Sequence, residues 1–144
     1  TPGLKIVYPS TGYEAKGLLL ACLEEDDPVV FFEPVRCYFT PGPVPEGHYT
    51  IPLGTADIKR PGRDATIVTY GWTVPESLLA AEALAKDGID VEVLDLRSLV
   101  PLDRPAILES VGRTKRAVIA HSAIEFGGFG AELAPLIHQH LHGV

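Results

Sequence analysis

The chain has 144 residues, 46% of them hydrophobic, enough to bury the core of one domain and part of another. Its formal net charge of -7 offers no basic face, which excludes nucleic acid and anionic membrane as partners. No apolar stretch reaches the roughly 18 residues that span a bilayer, and no signal-peptide pattern opens the chain, so we expect a cytoplasmic or organelle-matrix protein. The chain starts at Thr1 and has no methionine, which predicts a piece of a longer protein.

The first 34 residues predict a strand, a helix and a strand. LKIVYPS is a strand stopped by Pro9, and Thr11 with Glu14 three residues later forms a capping box that starts the helix. PVVFFEP is the second strand, apolar on both faces, which is typical of the middle of a parallel sheet. Residues 35–64 are rich in proline and glycine without a sustained period, so we predict a linker or crossover there.

Three strand and helix pairs follow in strict alternation. ATIVTYG precedes a helix with Pro75 in its first turn and Gly88 after its end, and IDVEVLDLR precedes a helix that Asp103 caps and Gly112 ends. RAVIAH precedes the last helix, whose apolar stripe consists of Phe129, Leu133, Leu136, Ile137 and Leu141. This alternation predicts an α/β fold in which a parallel sheet carries helices on both faces.

The stretch HSAIEFGGFGAEL, residues 121–133, joins the last strand to the last helix. Gly128 and Gly130 match the start of a dinucleotide fingerprint, but Leu133 stands at the position of its third glycine. The Gly-Lys-Ser/Thr of a P-loop is absent from the sequence. We therefore predict a tight turn that lets helix and strand approach closely, although a helix N-terminus can also hold an anion.

Candidate site residues lie at the strand ends. Ligands of open parallel sheets bind at the carboxyl ends of strands, which places Trp72, Arg97, His121 and Ser122 on one rim. His121 is the rim side chain that titrates near neutral pH, and a histidine held by a backbone carbonyl is the alternative. Asp95 raises the hypothesis of a phospho-accepting aspartate of a signalling receiver domain. TIVTYGWT, however, lacks the additional carboxylates with which such a site holds magnesium.

Three histidines near the end of the chain, His138, His140 and His142, are candidate metal ligands. Residues two apart on a helix point about 200° from each other and do not converge, so we predict a solvated helix end. The two cysteines, Cys22 and Cys37, form neither a C-x-x-C pair nor a disulfide framework, as expected in a reducing compartment. We assign no catalytic and no cofactor-binding residue.

Five stretches together resemble the second half of the beta subunit of thiamine-diphosphate-dependent 2-oxo acid dehydrogenases, the decarboxylating component of a multienzyme complex. They are KIVYPSTGYEAKGLL, DDPVVFFEP, VPEGHYTIPLGTADIKRPGRDATIVTYG, VEVLDLRSLVPLD and GGFGAEL, in order along nearly the whole chain. The VVFFEP wording resembles the branched-chain type more than the pyruvate or acetoin types. The alternative is a stand-alone doubly wound domain that binds nucleotides or transmits signals.

The resemblance implies how the chain is organised. Residues 1–34 would end a pyrimidine-binding-type domain, residues 35–64 would be a linker, and residues 65–144 would form a transketolase C-terminal-like domain without its last strand. The glutamate that activates the cofactor would lie in the absent first half, and the alpha subunit would hold the diphosphate and its magnesium. We therefore expect this piece alone neither to bind thiamine diphosphate nor to decarboxylate.

The resemblance also implies partners and an ion. The partners are the alpha subunit, a second beta subunit and the basic subunit-binding domain of the acyltransferase, for which Glu125 and Glu132 beside the glycine turn are candidate contacts. Branched-chain members hold a structural potassium ion partly through main-chain carbonyls of a turn that matches Cys22, Glu25 and Asp27, and oxygen ligands suit such a hard cation. A plain helix end leading to a strand is the alternative.

Two positions depart from the family's wording. Val35 stands where a lysine is common, and Ser122 stands where a glutamate usually follows the histidine. Both departures remove charge near a predicted interface, so contacts there do not transfer residue by residue.

Overall fold

The computed structural model describes residues 3–143. This part of the chain contains seven strands and four α-helices, and short strands interrupt the strict alternation that the sequence predicted. The elements are β1 (Lys5–Val7), α1 (Gly12–Leu23), β2 (Val29–Phe31), β3 (Asp57–Arg60), β4 (Ala65–Thr69), α2 (Thr73–Lys86), β5 (Val91–Asp95), β6 (Ser98–Val100), α3 (Arg104–Thr114), β7 (Ala117–Ala120) and α4 (Gly130–Leu141). None of the described helices is long and apolar enough to cross a membrane.

The larger sheet has the strand order β3-β5-β4-β7. β4 is parallel to β5 and β7. Successive side chains of β4 point to opposite faces of the sheet and enter two different cores, with Ile67 on the side of α2 and Val68 on the side of α3 and α4. Helices on both faces are thus confirmed. The sheet is mixed rather than wholly parallel, because β3 runs antiparallel to β5.

The reversed direction of β3 follows from its short connection to β4. Residues 61–64 cross the start of β5 within four positions, which is too short for the crossover that a parallel strand needs. Gly62 lies against the backbone of Val91 and Glu92, where any Cβ would collide. The segment predicted as a linker therefore contains an edge strand, and it also contains a one-turn 3-10 helix at Val35–Cys37.

The smaller sheet has the order β2-β1-β6 and joins distant parts of the chain. We call residues 3–34 the N-terminal unit; its β1 and β2 are parallel, and β6 adds to β1 in antiparallel orientation. β6 follows β5 after a sharp turn at Arg97, whose φ is 56°. The middle position expected for β2 is wrong: β2 is a half-buried edge strand in the described chain. Its apolar composition decided that prediction, but composition does not encode which strands are available for pairing.

The starts of α1 and α3 follow local chemistry, whereas the end of α3 differs from the prediction. The capping box of Thr11 and Glu14 is present, and Asp103 caps α3 by accepting a hydrogen bond from the N–H of Ala106. Gly112 does not end α3, because the helix continues to Thr114 and Lys115 adopts the left-handed conformation instead. A glycine inside a helix lowers stability by about 1 kcal/mol relative to alanine. Burial of Ile107 and Val111 of α3 in the core offsets this loss.

The apolar stripe of α4 is confirmed as the side that covers the sheet. Leu133 and Leu136 are buried in the same core as Val68 and Leu94 of the larger sheet. Phe129, Ile137 and Leu141 pack at the edge of that core. The carboxyl ends of β4, β5 and β7 therefore lie next to the start of α4, where the candidate rim was expected.

Candidate functional site

The predicted rim exists, but the chain itself covers much of it. Trp72 lies at the carboxyl end of β4, and the guanidinium of Arg36 sits 4.1 Å from the centre of its ring. Tyr8 of the N-terminal unit packs against Tyr70, with ring centroids 5.5 Å apart. The rim is therefore an internal junction of the larger sheet with the N-terminal unit and with the 3-10 helix that follows that unit.

His121 serves the turn that begins α4. The N–H of Gly130 donates to His121 Nε2 at 3.1 Å, and the N–H of Ala123 donates to Nδ1 at 3.2 Å. A neutral imidazole has one acceptor nitrogen, so these two bonds alternate. The ring also stacks on Tyr70 at 6.0 Å between centroids. His121 thus partners a backbone N–H rather than the carbonyl that the sequence suggested.

The glycines of the turn are needed for close approach. A Cβ on Gly130 would collide with the His121 ring, and one on Gly128 would collide with the Ile124 carbonyl. The N–H of Gly130, at the start of α4, has no acceptor within the helix and donates to His121 instead. This geometry supports a packing turn and gives no support to a phosphate cradle. Ser122 is exposed beside it.

Arg97 does not face a ligand. Its Nε donates to Glu14 Oε1 at 3.0 Å and its Nη2 donates to Asp57 Oδ2 at 2.7 Å. Lys59 of β3 also pairs with Glu14, and its Nζ lies 2.8 Å from Asp57 Oδ2. Two cations and two acids therefore bind β3, the turn after β5 and α1 together.

Glu14 is the centre of this cluster and is fully buried. Its Oε2 accepts from the N–H and hydroxyl groups of both Ser10 and Thr11, at 2.6 to 3.2 Å, while Oε1 accepts from Lys59 and Arg97. Burial alone raises the pKa of Glu14, but the charge and hydrogen bond of Lys59, followed by Ser10 and Arg97, lower it to about 2. Glu14 is ionised in the folded protein.

Asp95 completes the cluster and is also fully buried. Ser10 Oγ lies 2.6 Å from Asp95 Oδ2, and the Arg97 N–H donates to Oδ1 at 3.1 Å. Burial, and then the nearby charge of Glu14, raise the pKa of Asp95 to about 7. A fully buried carboxyl with these partners is inaccessible to a phosphoryl donor, which argues against the receiver-domain hypothesis. We call Ser10, Glu14, Asp57, Lys59, Asp95 and Arg97 the Glu14 cluster.

The sequence marked only part of the Glu14 cluster. Glu14 was identified as a helix-capping residue, and Arg97 and Asp95 as strand-end side chains. Lys59 was missed because it lies in the segment without a pattern. The available signal was local: Asp-Ile-Lys places Asp57 and Lys59 on the same face of a strand.

The turn proposed for potassium carries ion pairs with a lysine. Glu25 and Asp27 both pair with Lys5 Nζ, the Asp27 contact being 3.1 Å. The Cys22 carbonyl accepts a long hydrogen bond of 3.4 Å from the Glu25 N–H. Carbonyl oxygens are the type of ligand that a hard cation prefers. The carboxylates of Glu25 and Asp27, however, already pair with Lys5. The potassium assignment stays a prediction.

The three histidines at the end of α4 are exposed. His138 and His142, four residues apart, have ring centroids separated by 4.6 Å, while His140 Nδ1 lies 2.9 Å from the Leu136 carbonyl. Among residues 3–143, no group of three or more His, Cys, Asp or Glu side chains is arranged to hold a metal ion. The geometry fits a solvated helix end.

The other face of the glycine turn is an open apolar surface. Ile124 and Phe126 are 76% and 91% exposed, and the exposed Glu125 and Glu132 flank them. Large side chains this exposed are characteristic of interaction surfaces. We call these four residues the turn surface.

The sequence pattern of the family described as "Transketolase, C-terminal domain" matches residues 54–144. The chain belongs to the transketolase C-terminal domain family. The solved structure "Split gene transketolase, inactive beta4 tetramer" has the same fold, with a TM-score of 0.79 and 24% identity, covering 96% of this chain and 45% of that one. β3 lies inside the matched range, so this strand is part of the family domain.

Curated bacterial relatives extend the similarity over the N-terminal unit. The chain is 47% identical to the 2-oxoisovalerate dehydrogenase subunit beta of Bacillus subtilis over 96% of its length and 43% of the relative's. It is 49% identical to the pyruvate dehydrogenase E1 component subunit beta of the same species, with 96% and 43% coverage. For the acetoin:2,6-dichlorophenolindophenol oxidoreductase subunit beta of Cupriavidus necator the identity is 46%, with 99% and 42% coverage. The chain thus spans less than half the length of these relatives, and their similar identities do not separate the branched-chain type from the others.

Proposed function

We propose that this chain is the C-terminal part of the beta subunit of a thiamine-diphosphate-dependent 2-oxo acid dehydrogenase. The supporting observation is the identity of 46% to 49% to three beta subunits, over 96% or more of the chain; two are named as subunits of 2-oxoisovalerate and pyruvate dehydrogenases and the third as a subunit of an acetoin oxidoreductase. The similarity includes both the family domain and the N-terminal unit, which the Glu14 cluster joins into one body. The whole protein would act in the bacterial cytoplasm as the decarboxylating component of a multienzyme complex.

We further propose that thiamine diphosphate and magnesium bind only in the intact heterotetramer. The cofactor would supply the carbanion that attacks the 2-oxo acid, and this chain would supply structure rather than a reacting group. Glu14, the fully buried carboxylate of the N-terminal unit, has both oxygens engaged by hydrogen bonds and ion pairs, so it is not free to contact a cofactor. Titration calorimetry of residues 1–144 should detect no magnesium-dependent binding of thiamine diphosphate, and submillimolar binding would contradict this.

The substrate we favour is a branched-chain 2-oxo acid. This preference rests on the wording VVFFEP in the sequence, of which Val29–Phe31 forms β2. Full-length beta subunit should be co-expressed with its alpha subunit and assayed with thiamine diphosphate and magnesium. We expect decarboxylation of 2-oxoisovalerate with a higher kcat/KM than of pyruvate. Activity confined to pyruvate would overturn the substrate preference, and no activity with any 2-oxo acid would overturn the proposed function.

Potassium is part of the same proposal. The main-chain carbonyls at Cys22, Glu25 and Asp27 would contribute part of its ligand set, and the absent first half of the subunit would contribute the rest. We expect the melting temperature of the full-length heterotetramer to be higher in potassium chloride than in choline chloride at equal ionic strength. Equal melting temperatures would argue against the ion.

The partners we propose are the alpha subunit, a second beta subunit and the subunit-binding domain of the acyltransferase. The turn surface combines two exposed apolar side chains with two acids, which suits a basic docking domain. Opposite charges steer association, and salt screens them over about 8 Å at physiological ionic strength. Glu125→Lys and Glu132→Lys should therefore slow association, and the effect should shrink at high salt.

Stopped-flow association of the assembled heterotetramer with the docking domain measures this effect. Glu82→Lys, an exposed acid on α2 at the opposite face of the sheet, is the matched control. A salt-independent rate, or equal slowing by Glu82→Lys, would remove the turn surface from the docking site.

A further inference from the structure

The hydroxyl of Ser10 lies between two buried acids. Its Oγ is 2.6 Å from Glu14 Oε2 and 2.6 Å from Asp95 Oδ2, and all three residues are at most 2% exposed. Both distances are those of short O–H···O hydrogen bonds. A serine hydroxyl has one hydrogen, so it can donate to only one of the two acids. The other contact requires a proton from the acid itself.

The surroundings show which acid carries that proton. Glu14 accepts hydrogen bonds at both oxygens and lies beside two cations, Lys59 and Arg97. These contacts stabilise its ionised form, so Glu14 does not carry the proton. Asp95 Oδ1 accepts from the Arg97 N–H, whereas Oδ2 has the Ser10 hydroxyl as its one hydrogen-bond partner among residues 3–143. Oδ2 of Asp95 is therefore the position of the shared proton.

We propose that Asp95 is protonated in the folded protein and donates to Ser10, which donates to Glu14, forming a proton-dependent latch between the family domain and the N-terminal unit. Loss of the proton leaves two negative carboxylates in contact with one hydroxyl in a buried site. The latch then weakens, and α1, which carries Glu14, opens more readily from the sheet. This inference does not depend on the proposed function.

Several charged groups face the latch from the elements packed around it. Lys59 and Asp57 come from β3, and Arg97 comes from the turn after β5. Cys37 of the 3-10 helix lies close enough that Asp95 and Glu14, after burial, raise the pKa of its thiol, so this thiol stays neutral through the relevant range. Burial and the charge of Glu14 raise the pKa of Asp95 more strongly than the Ser10 hydrogen bond, the charge of Lys59 and the backbone N–H of Arg97 lower it.

The pH window follows from linkage. The pKa of Asp95 is raised from 3.8 to about 7, so its contribution to stability is complete below about pH 4 and is lost as the pH rises to about 7. Between these values each pH unit should reduce the protection of α1 by up to about tenfold, with a plateau above about pH 8. Glu14 changes protonation only at lower pH and leaves this window to Asp95.

Hydrogen exchange of the full-length subunit in its assembled complex tests the latch. The measured quantity is the protection of peptides from α1 relative to peptides from α3, at pH 5, 6, 7 and 8 after correction for chemical exchange. We expect relative protection to fall with pH in the parent and to stay nearly constant in Asp95→Asn, whose amide donates to Ser10 at every pH. A flat parent profile, or the same slope in Asp95→Asn, would overturn the proposal.

Two controls separate the latch from general damage. Ser10→Ala should reduce the protection of α1 at low pH, while Ser77→Ala, which removes another buried hydroxyl within α2, should leave α1 unchanged. Infrared difference spectra of the parent minus Asp95→Asn should show the carbonyl stretch of a protonated carboxyl at pH 5 that disappears by pH 8.5. Absence of that band at pH 5 would overturn the protonation directly.

Discussion

The two ends of the larger sheet bury acids in different ways. At the amino end, the fully buried Glu92 accepts from the Thr66 hydroxyl at 3.1 Å and pairs with Arg113, whose side chain is 47% exposed. At the carboxyl end, Glu14 and Asp95 are buried together, and the cations Lys59 and Arg97 are only 15% and 11% exposed. The amino end stays within the family domain, whereas the carboxyl end needs the N-terminal unit.

This difference indicates which end of the sheet is more sensitive to the loss of a cation. A buried acid with a half-exposed cation can be solvated when that cation is lost, because water enters the same opening. When the cations are buried as well, removing one of them leaves the acid charged and without water around it. We therefore expect perturbations at the carboxyl end to cost more than equivalent ones at the amino end.

Removing Lys59 should have the largest effect. Lys59→Met keeps a similar stem but leaves Glu14 with Arg97 as its remaining cation, and breaking a buried pair costs about 4 kcal/mol of unfolding free energy. Urea unfolding of the full-length subunit measures it, with the exposed Lys86→Met as control. A loss below about 1 kcal/mol, typical of a surface pair, would contradict the buried character of the cluster.

Acid should weaken the carboxyl end next most strongly. The pKa of Glu14 is lowered from 4.5 to about 2, so its stabilisation is present above about pH 4.5 and is lost as the pH falls to 2. The shift corresponds to about 3 kcal/mol. Asp95 contributes fully below about pH 4, so the loss between pH 4 and 2 belongs to Glu14 and not to Asp95. Unfolding free energies measured from pH 5 to 2 should show this loss in the parent and a shallower slope in Glu14→Gln; equal slopes would refute the assignment.

The glycine turn should respond to a smaller degree. Gly130→Val places a branched side chain against the His121 ring and should cost about 2 kcal/mol through overpacking. His121→Ala in the same chain should recover part of that loss, because it removes the colliding group. Gly47→Val, at an open position, should be nearly neutral in the same urea titration. Purely additive losses in the double variant would show that His121 is not what Gly130 accommodates.

The amino end should show the smallest effect. Arg113→Ala opens Glu92 to water while leaving the Thr66 hydroxyl bond, so we expect a loss of about 1 kcal/mol. Arg104→Ala on the same helix is an exposed control. If Arg113→Ala destabilised the subunit as much as Lys59→Met, the contrast between the two ends would be wrong.

The sequence by itself determined the elements and their sides. Sequence patterns directly report features that depend on neighbours within about four residues. Such features are the caps at Thr11 and Asp103, the order of strands and helices, and the apolar stripe of α4. The family resemblance and the acidic composition were likewise properties of the linear chain. The packing role of the glycine turn also followed from its spacing.

Only the tertiary structure decided how distant residues combine. β3 and β6 are short strands of three or four residues whose partners lie elsewhere in the chain, and neither has a period long enough to predict pairing. Asp95 and Glu14 are separated by 81 positions, and each has an ordinary local role in the sequence. Their protonation depends on burial and on each other's charge, which arise only when the N-terminal unit packs on the carboxyl end of the sheet.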